Sequence, residues 1–111
     1  MLRLSKRDAI SSDKTNSEKK LLILNTLGDP YCMTILEIVQ EMAKSAVEIN
    51  AETRIPISTV YRRVQILHDM NLLQVTGSIS SDGKKYFLYK SKVKSIEAKY
   101  DGKLEVEIKL D

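Results

Sequence analysis

The sequence predicts a mainly α-helical domain with a small antiparallel β component. Three observations carry that prediction. Apolar residues recur at helical spacing in four stretches before residue 71, and each stretch is bounded by a cap or a breaker. From Leu73 onward the apolar period changes to two, in segments rich in strand formers. The chain of 111 residues and 12.6 kDa is enough for one core. With 42% apolar and 30% charged residues it is too hydrophobic to be disordered throughout.

Residues 1–16 read as a flexible or partly helical N-terminal tail. Ser5, Ser11, Ser12, Asp13 and Thr15 break any period, and Arg3, Lys6, Arg7 and Lys14 favour solvent. Asn16 or Ser17 caps the first helix, with Leu21, Leu22, Leu24 and Leu27 as its apolar face and Gly28-Asp29-Pro30 as its stop. The second helix is expected from Tyr31 to Lys44, on Ile35, Leu36, Ile38, Val39 and Met42. Ser45 and Glu48 have the spacing of a capping box and open a short third helix, Ala46 to Thr53. Val47, Ile49 and Ala51 are its apolar candidates. Arg54-Ile55-Pro56-Ile57 is a tight break, because proline disfavours helix at the residue before it.

Ser58 is the expected cap of a fourth helix that runs to about Met70. At 100° per residue, Val60, Val64 and Leu67 share one stripe, with Ile66, Met70 and Thr59 at its shoulder. Ser58, Arg62, Gln65 and Asp69 fall on the opposite side, and Tyr61 and His68 flank the stripe. Asn71 is a suitable left-handed stop. Leu73 and Val75, then Lys85-Tyr-Phe-Leu-Tyr89, are strands joined by a long polar tip from Gly77 to Lys84.

Residues 91–111 read as a second hairpin, an extension to the domain at 17–90. Leu104, Val106, Ile108 and Leu110 alternate with charged residues, as Ile96, Ala98 and Tyr100 alternate upstream. A two-residue Asp101-Gly102 turn would put these sets on opposite faces, since a one-residue slip reverses every side chain. A three-residue loop, Tyr100-Asp101-Gly102 with Gly102 left-handed, restores one apolar face.

Helix, helix, short helix, tight break, helix, long-tipped hairpin is the order of a winged helix-turn-helix. A short helix and a three- to four-residue turn hold the next helix steeply, so that its outer side can enter a DNA major groove. Ser58 and Thr59 bring small hydroxyls and helix-terminal N–H groups suited to a phosphate. Arg62 and Gln65 have the reach and chemistry for base edges, Arg for guanine and Gln for adenine. Tyr61 can donate its hydroxyl to a phosphate. Arg63 points to the core shoulder, so it bends outward to the DNA backbone or pairs internally. Lys84 and Lys85 belong to the wing.

The overall charge of +3, with a pI near 9.0, does not establish a polyanionic partner. Its distribution is more informative. Residues 54–94 hold eight Lys and Arg against Asp69 and Asp82, a net of +6. Residues 29–52 hold five acids against Lys44, a net of −4. A basic half made by the fourth helix and the wing is the footprint of a DNA binder.

Ile55-Pro-Ile-Ser-Thr-Val-Tyr-Arg-Arg-Val64, followed by Met70-Asn-Leu-Leu73, resembles the helix-turn-helix core of archaeal winged-helix regulators of the arsenical-repressor-like (ArsR-like) group. Leu27-Gly-Asp-Pro-Tyr31 and Asp82-Gly-Lys-Lys-Tyr86 are similar to that group as well, and the likeness covers roughly residues 18–90. The resemblance implies a homodimeric transcription regulator that binds an operator through Ser58, Thr59, Tyr61, Arg62 and the wing lysines. Metal sensing is not implied, because residues 45–53 contain no cysteine or histidine.

The expected partners are double-stranded DNA and a second copy of the chain, with two fourth helices in successive major grooves about 34 Å apart. The alternative is a winged-helix module for protein–protein assembly, whose outer surface should carry an apolar hot spot. Catalysis is not expected, because no acid/base pair, phosphate loop or metal cluster can be assembled, and no cofactor or small effector is indicated. One cysteine and one histidine cannot build a zinc site in one chain. Cys32, near the start of the second helix, is either a redox thiol or a small core residue. No apolar run approaches the ~20 residues of a membrane span. The basic N-terminus lacks the apolar stretch of a secretory signal. A cytoplasmic location is therefore expected.

Overall fold

The computed structural model describes residues 2–3 and 16–111. Four helices and five strands follow in the order β1 (Leu2–Arg3), α1 (Asn16–Leu27), α2 (Pro30–Ile38), α3 (Ala46–Thr53), α4 (Ile57–Asp69), β2 (Leu73–Ile79), β3 (Lys85–Ser91), β4 (Val93–Tyr100) and β5 (Leu104–Leu110). Helix still exceeds strand, 43% to 32% of the described residues, but the β component is larger than the sequence suggests. Asn16, the last residue of the expected tail, is instead the first of α1, and apart from it and the strand at Leu2–Arg3 that tail lies outside the described residues.

Helix α1 presents Lys19, Ile23 and Thr26 to the interior, while Leu21 is 61% exposed. Leu21-Leu-Ile-Leu24 covers almost a full turn with apolar side chains, so periodicity alone cannot select the inner side. Asp29 then caps α2, accepting a hydrogen bond from the Tyr31 N–H (3.1 Å), and Pro30 occupies the first helical position.

Helix α2 stops at Ile38, six residues short of the expected end. The cause is distant in sequence. The Ser91 N–H donates to the Val39 carbonyl (3.0 Å), and Lys44 exchanges backbone hydrogen bonds with Tyr89 at 3.0 and 2.8 Å. The Gln40 side chain also donates to the Val93 carbonyl (2.8 Å), while the Lys90 ammonium donates to the Gln40 carbonyl (2.8 Å). These contacts draw 39–44 out of the helical path, and Met42, expected in the core, is 65% exposed.

The Ser45–Glu48 capping box forms as expected, with Ser45 Oγ accepting from the Glu48 N–H and the Glu48 carboxylate accepting from the Ser45 N–H. Helix α3 buries Ala46 and Ile49 but leaves Val47 exposed. Arg54, left-handed at φ 63°, ends it. Two side chains satisfy the break that follows: Asn50 Nδ2 donates to the Ile55 carbonyl (2.7 Å), and Thr53 Oγ1 accepts from the Ile55 N–H (3.1 Å).

Helix α4 begins one residue before the expected cap, at Ile57, because Pro56 already supplies a fixed entry φ of −53°. Its stripe of Val60, Val64 and Leu67 is buried as the periodicity requires. Asn71 is left-handed (φ 63°), and the Leu72 N–H reaches the Leu67 carbonyl while the Asn71 N–H reaches that of His68. This pair of bonds is a Schellman stop.

Strands β2 and β3 form an antiparallel hairpin, paired from Leu73↔Ser91 to Ile79↔Lys85. Gly77, Ser78 and Ile79, expected in a flexible tip, are therefore strand, and the tip is residues 80–84. Ser80 organises that tip. Its hydroxyl donates to the Asp82 carboxylate and accepts from the Lys84 N–H (3.1 Å), and its carbonyl accepts from the Gly83 N–H (2.9 Å). The Ser80 hydroxyl bond, then the Lys84 N–H, hold the Asp82 carboxyl below its ordinary range.

The second sheet has the order β1-β5-β4, with β1 parallel to β5. Tyr100 pairs with Leu104, Ala98 with Val106 and Ile96 with Ile108, so the apolar residues share one face as parity demands. Gly102 is left-handed (φ 99°). The three loop residues are Asp101, Gly102 and Lys103, one position later than expected, which shifts the register by two and keeps the face. Ile23, Ile35, Val39, Ile49, Val60, Leu67, Leu73 and Val106 are the centre of one core that joins the helices to both sheets.

Candidate nucleic-acid interface

The stripe that buries Val60, Val64 and Leu67 leaves the opposite side of α4 in water. Ser58, Arg62, Gln65 and Asp69 are all exposed along it, and Tyr61 is 52% exposed at its edge. Pro56, at the N-cap position, offers no side-chain hydrogen bond, and among the described residues no hydroxyl accepts from the N–H groups of the first turn. Gln65 donates through Nε2 to Asp69 Oδ1 (2.8 Å), one helical turn away.

Two of the expected site residues do not belong to this surface. Thr59 is 9% exposed. With the helix starting at Ile57, its side chain turns inward beside Val60. Arg63 is held internally. Its guanidinium donates from Nε to the Asp29 carboxylate and lies 5.5 Å from the centre of the Tyr31 ring. Of the two alternatives open for this residue, internal pairing is the one adopted.

Asp29 is consequently a junction as well as a cap. Burial alone would raise its carboxyl, but hydrogen bonds from the Tyr31 N–H, Arg63 and Cys32, with the Arg63 charge, hold it below its ordinary value. The Cys32 thiol donates to the same carboxylate (3.4 Å) and is buried. Burial first, then the bond to Asp29, push the thiol up to about 12. The helix dipole does not make it a thiolate, and Cys32 is a core residue.

Lys84 and Lys85 are exposed at the end of the first hairpin. A groove of about 470 Å³ connects this hairpin to α4, lined by Ser45, Val47, Tyr61, Lys85, Phe87 and Tyr89 among others. Lys85 Nζ stands 5.6 Å from the centre of the Phe87 ring. A second concavity of about 390 Å³ lies across Tyr61, against Gln65, His68 and Val75. Tyr61 is the ridge between the two. It stands beside Tyr89, whose phenol is pushed up by burial and then by Tyr61.

The fold thus brings Ser58, Tyr61, Arg62 and Gln65 to one exposed side and links Tyr61 to Lys85 through the groove. Phe87 and Val47 were not foreseen as part of it. Phe87 shares its strand face with the buried Tyr89, and parity would have placed it there. Val47 is one of three apolar candidates of α3, but the helix buries Ala46 and Ile49 and leaves Val47 exposed. Among the described residues, no three His, Cys, Asp or Glu side chains converge as metal ligands, and no helix is long and apolar enough to cross a membrane. No known family model matches the chain, and no curated protein does.

Proposed function

We propose that this chain is a winged helix-turn-helix transcription regulator, a relative of the ArsR-like group, that binds double-stranded DNA as a cytoplasmic homodimer. In this reading α4 is the recognition helix, the β2–β3 hairpin is the wing, and the protein has no catalytic role. One observation carries the reading: the water-facing side of α4 offers Ser58, Tyr61, Arg62 and Gln65, all hydrogen-bonding groups, uncovered by the rest of the described chain. Arg62 and Gln65 meet base edges, and Ser58 and Tyr61 meet phosphates. Lys84 and Lys85 hold the backbone beside the groove. Thr59 and Arg63 are left out of the contact set, since both are committed to the interior.

Fluorescence anisotropy with random and genomic duplexes at two salt concentrations tests this directly. Saturable, salt-sensitive binding is expected. Arg62→Ala should reduce discrimination between sites by about 1–3 kcal/mol. Joint replacement of Lys84 and Lys85 by Ala should weaken binding to every sequence and flatten the salt slope by about two. Parental behaviour of both variants would remove this surface from the mechanism.

A second reading, a module for protein assembly, draws on the exposed Val47, Tyr61 and Phe87 along the groove, an apolar cluster of the kind that anchors protein partners. It requires no duplex binding at moderate salt, so the same titration separates the two.

A further inference from the structure

Gln65 and Asp69 lie one turn apart on the exposed side of α4, joined by a hydrogen bond of 2.8 Å from Nε2 to Oδ1. The direction of that bond is dictated by chemistry. A carboxylate only accepts, whereas the glutamine amide has one donating and one accepting end. The amide nitrogen must therefore face Asp69, and the reversed amide would set two acceptors against each other. One of the two Nε2 hydrogens is used by Asp69. Among the described residues nothing else uses the Gln65 side chain, so the second hydrogen and the carbonyl oxygen remain for a partner.

We propose that Asp69 is a positioning residue that locks the Gln65 amide and makes the protein select adenine over guanine at the base Gln65 meets. The inference rests on the DNA-binding reading above. In the major groove adenine presents N6–H as a donor and N7 as an acceptor, which matches one carbonyl oxygen and one N–H. Guanine presents O6 and N7, both acceptors. A locked amide then faces one of them with its own oxygen. A free amide could turn or slide to donate to guanine, and Asp69 denies it that freedom. Asp69 itself carries negative charge towards a polyanion, so phosphate attraction does not account for its place on this surface.

The test is selection from a randomised duplex library with the parent, Gln65→Ala, Asp69→Ala and Asp69→Glu, followed by anisotropy on the enriched duplex and its adenine-to-guanine version. The parent should enrich one adenine position per half-site that Gln65→Ala flattens. Asp69→Ala should lose at least about fivefold of the adenine preference at that position, the lower end of what a bidentate contact supplies. Other positions should be unchanged, and Asp69→Glu, which restores an acceptor, should recover the preference. Asp69 is an exposed residue at a helix end, and an unchanged thermal melt of Asp69→Ala confirms the fold. Undiminished adenine preference in Asp69→Ala overturns the inference alone. So does enrichment of guanine at the Gln65 position, or loss of a cytosine preference, which would make Asp69 a base reader itself. A parent that enriches nothing overturns the DNA-binding reading together with the inference.

Discussion

Asp29 ties the start of α2 to the middle of α4, and two substitutions can separate its roles. Asp29→Ala removes the cap, worth ~0.5–2 kcal/mol. It also removes the carboxylate from Arg63. The two side chains are 22% and 23% exposed, which places their pair between a screened surface bridge of under ~1 kcal/mol and a buried one of ~3–5 kcal/mol. A total near 2 kcal/mol follows, or roughly 10 °C in Tm for a domain of this size. Asn caps a helix about as well as Asp, so Asp29→Asn should cost about half as much. Urea unfolding followed by circular dichroism, with Arg63→Met completing a double-mutant cycle, measures both quantities. The sign of the pH dependence is also determined. The folded Asp29 has a depressed pKa, so its charge stabilises fully above the ordinary 3.8 and progressively less as pH falls below it through the folded value. The deficit of Asp29→Asn should therefore shrink in acid. Equal losses for the Asn and Ala variants, or a deficit that does not respond to acid, would refute the assignment of two separable roles.

Other consequences are quicker to check. Cys32, buried and with its thiol pushed up to about 12, should resist alkylation in the folded protein at mildly alkaline pH and react once urea unfolds it. Ser45→Ala should cost ~0.5–2 kcal/mol by opening the capping box, measured by the same unfolding titration. Leu67→Ala should cost ~2–5 kcal/mol, because Leu67 is wholly enclosed in the core.

How far the sequence could be read depended on the range of the forces involved. The capping box at Ser45, the left-handed Asn71 and the buried stripe of α4 follow from contacts within a turn or two, and all three were legible. Hairpin parity was legible too, since period two admits no compromise, but a register shifted by two has the same parity and needed the folded loop to resolve it. The early end of α2 was not legible, because its competitors are backbone groups at Tyr89 and Ser91, some fifty residues onward. The same holds for the candidate surface. Ser58, Tyr61, Arg62 and Gln65 are exposed where helical angles put them. Arg63 needed knowledge of Asp29, which comes 34 positions earlier.

The two sheets meet at a single amino acid. Lys92 is all that separates β3 from β4, and its backbone is fastened on both sides, by its N–H to the Leu72 carbonyl (2.9 Å) and by its carbonyl to the Asp111 N–H (2.8 Å). Gln40, in the segment that follows α2, braces the same corner through the Val93 carbonyl. These hydrogen bonds fasten the corner at which one hairpin passes into the other. Under the homodimer proposal, if two copies join through the β1-β5-β4 sheet, this corner is the link that carries their separation to the helices. Inserting one glycine beside Lys92 would then change the tolerated distance between the half-sites of the proposed DNA target without altering the residues proposed to touch them.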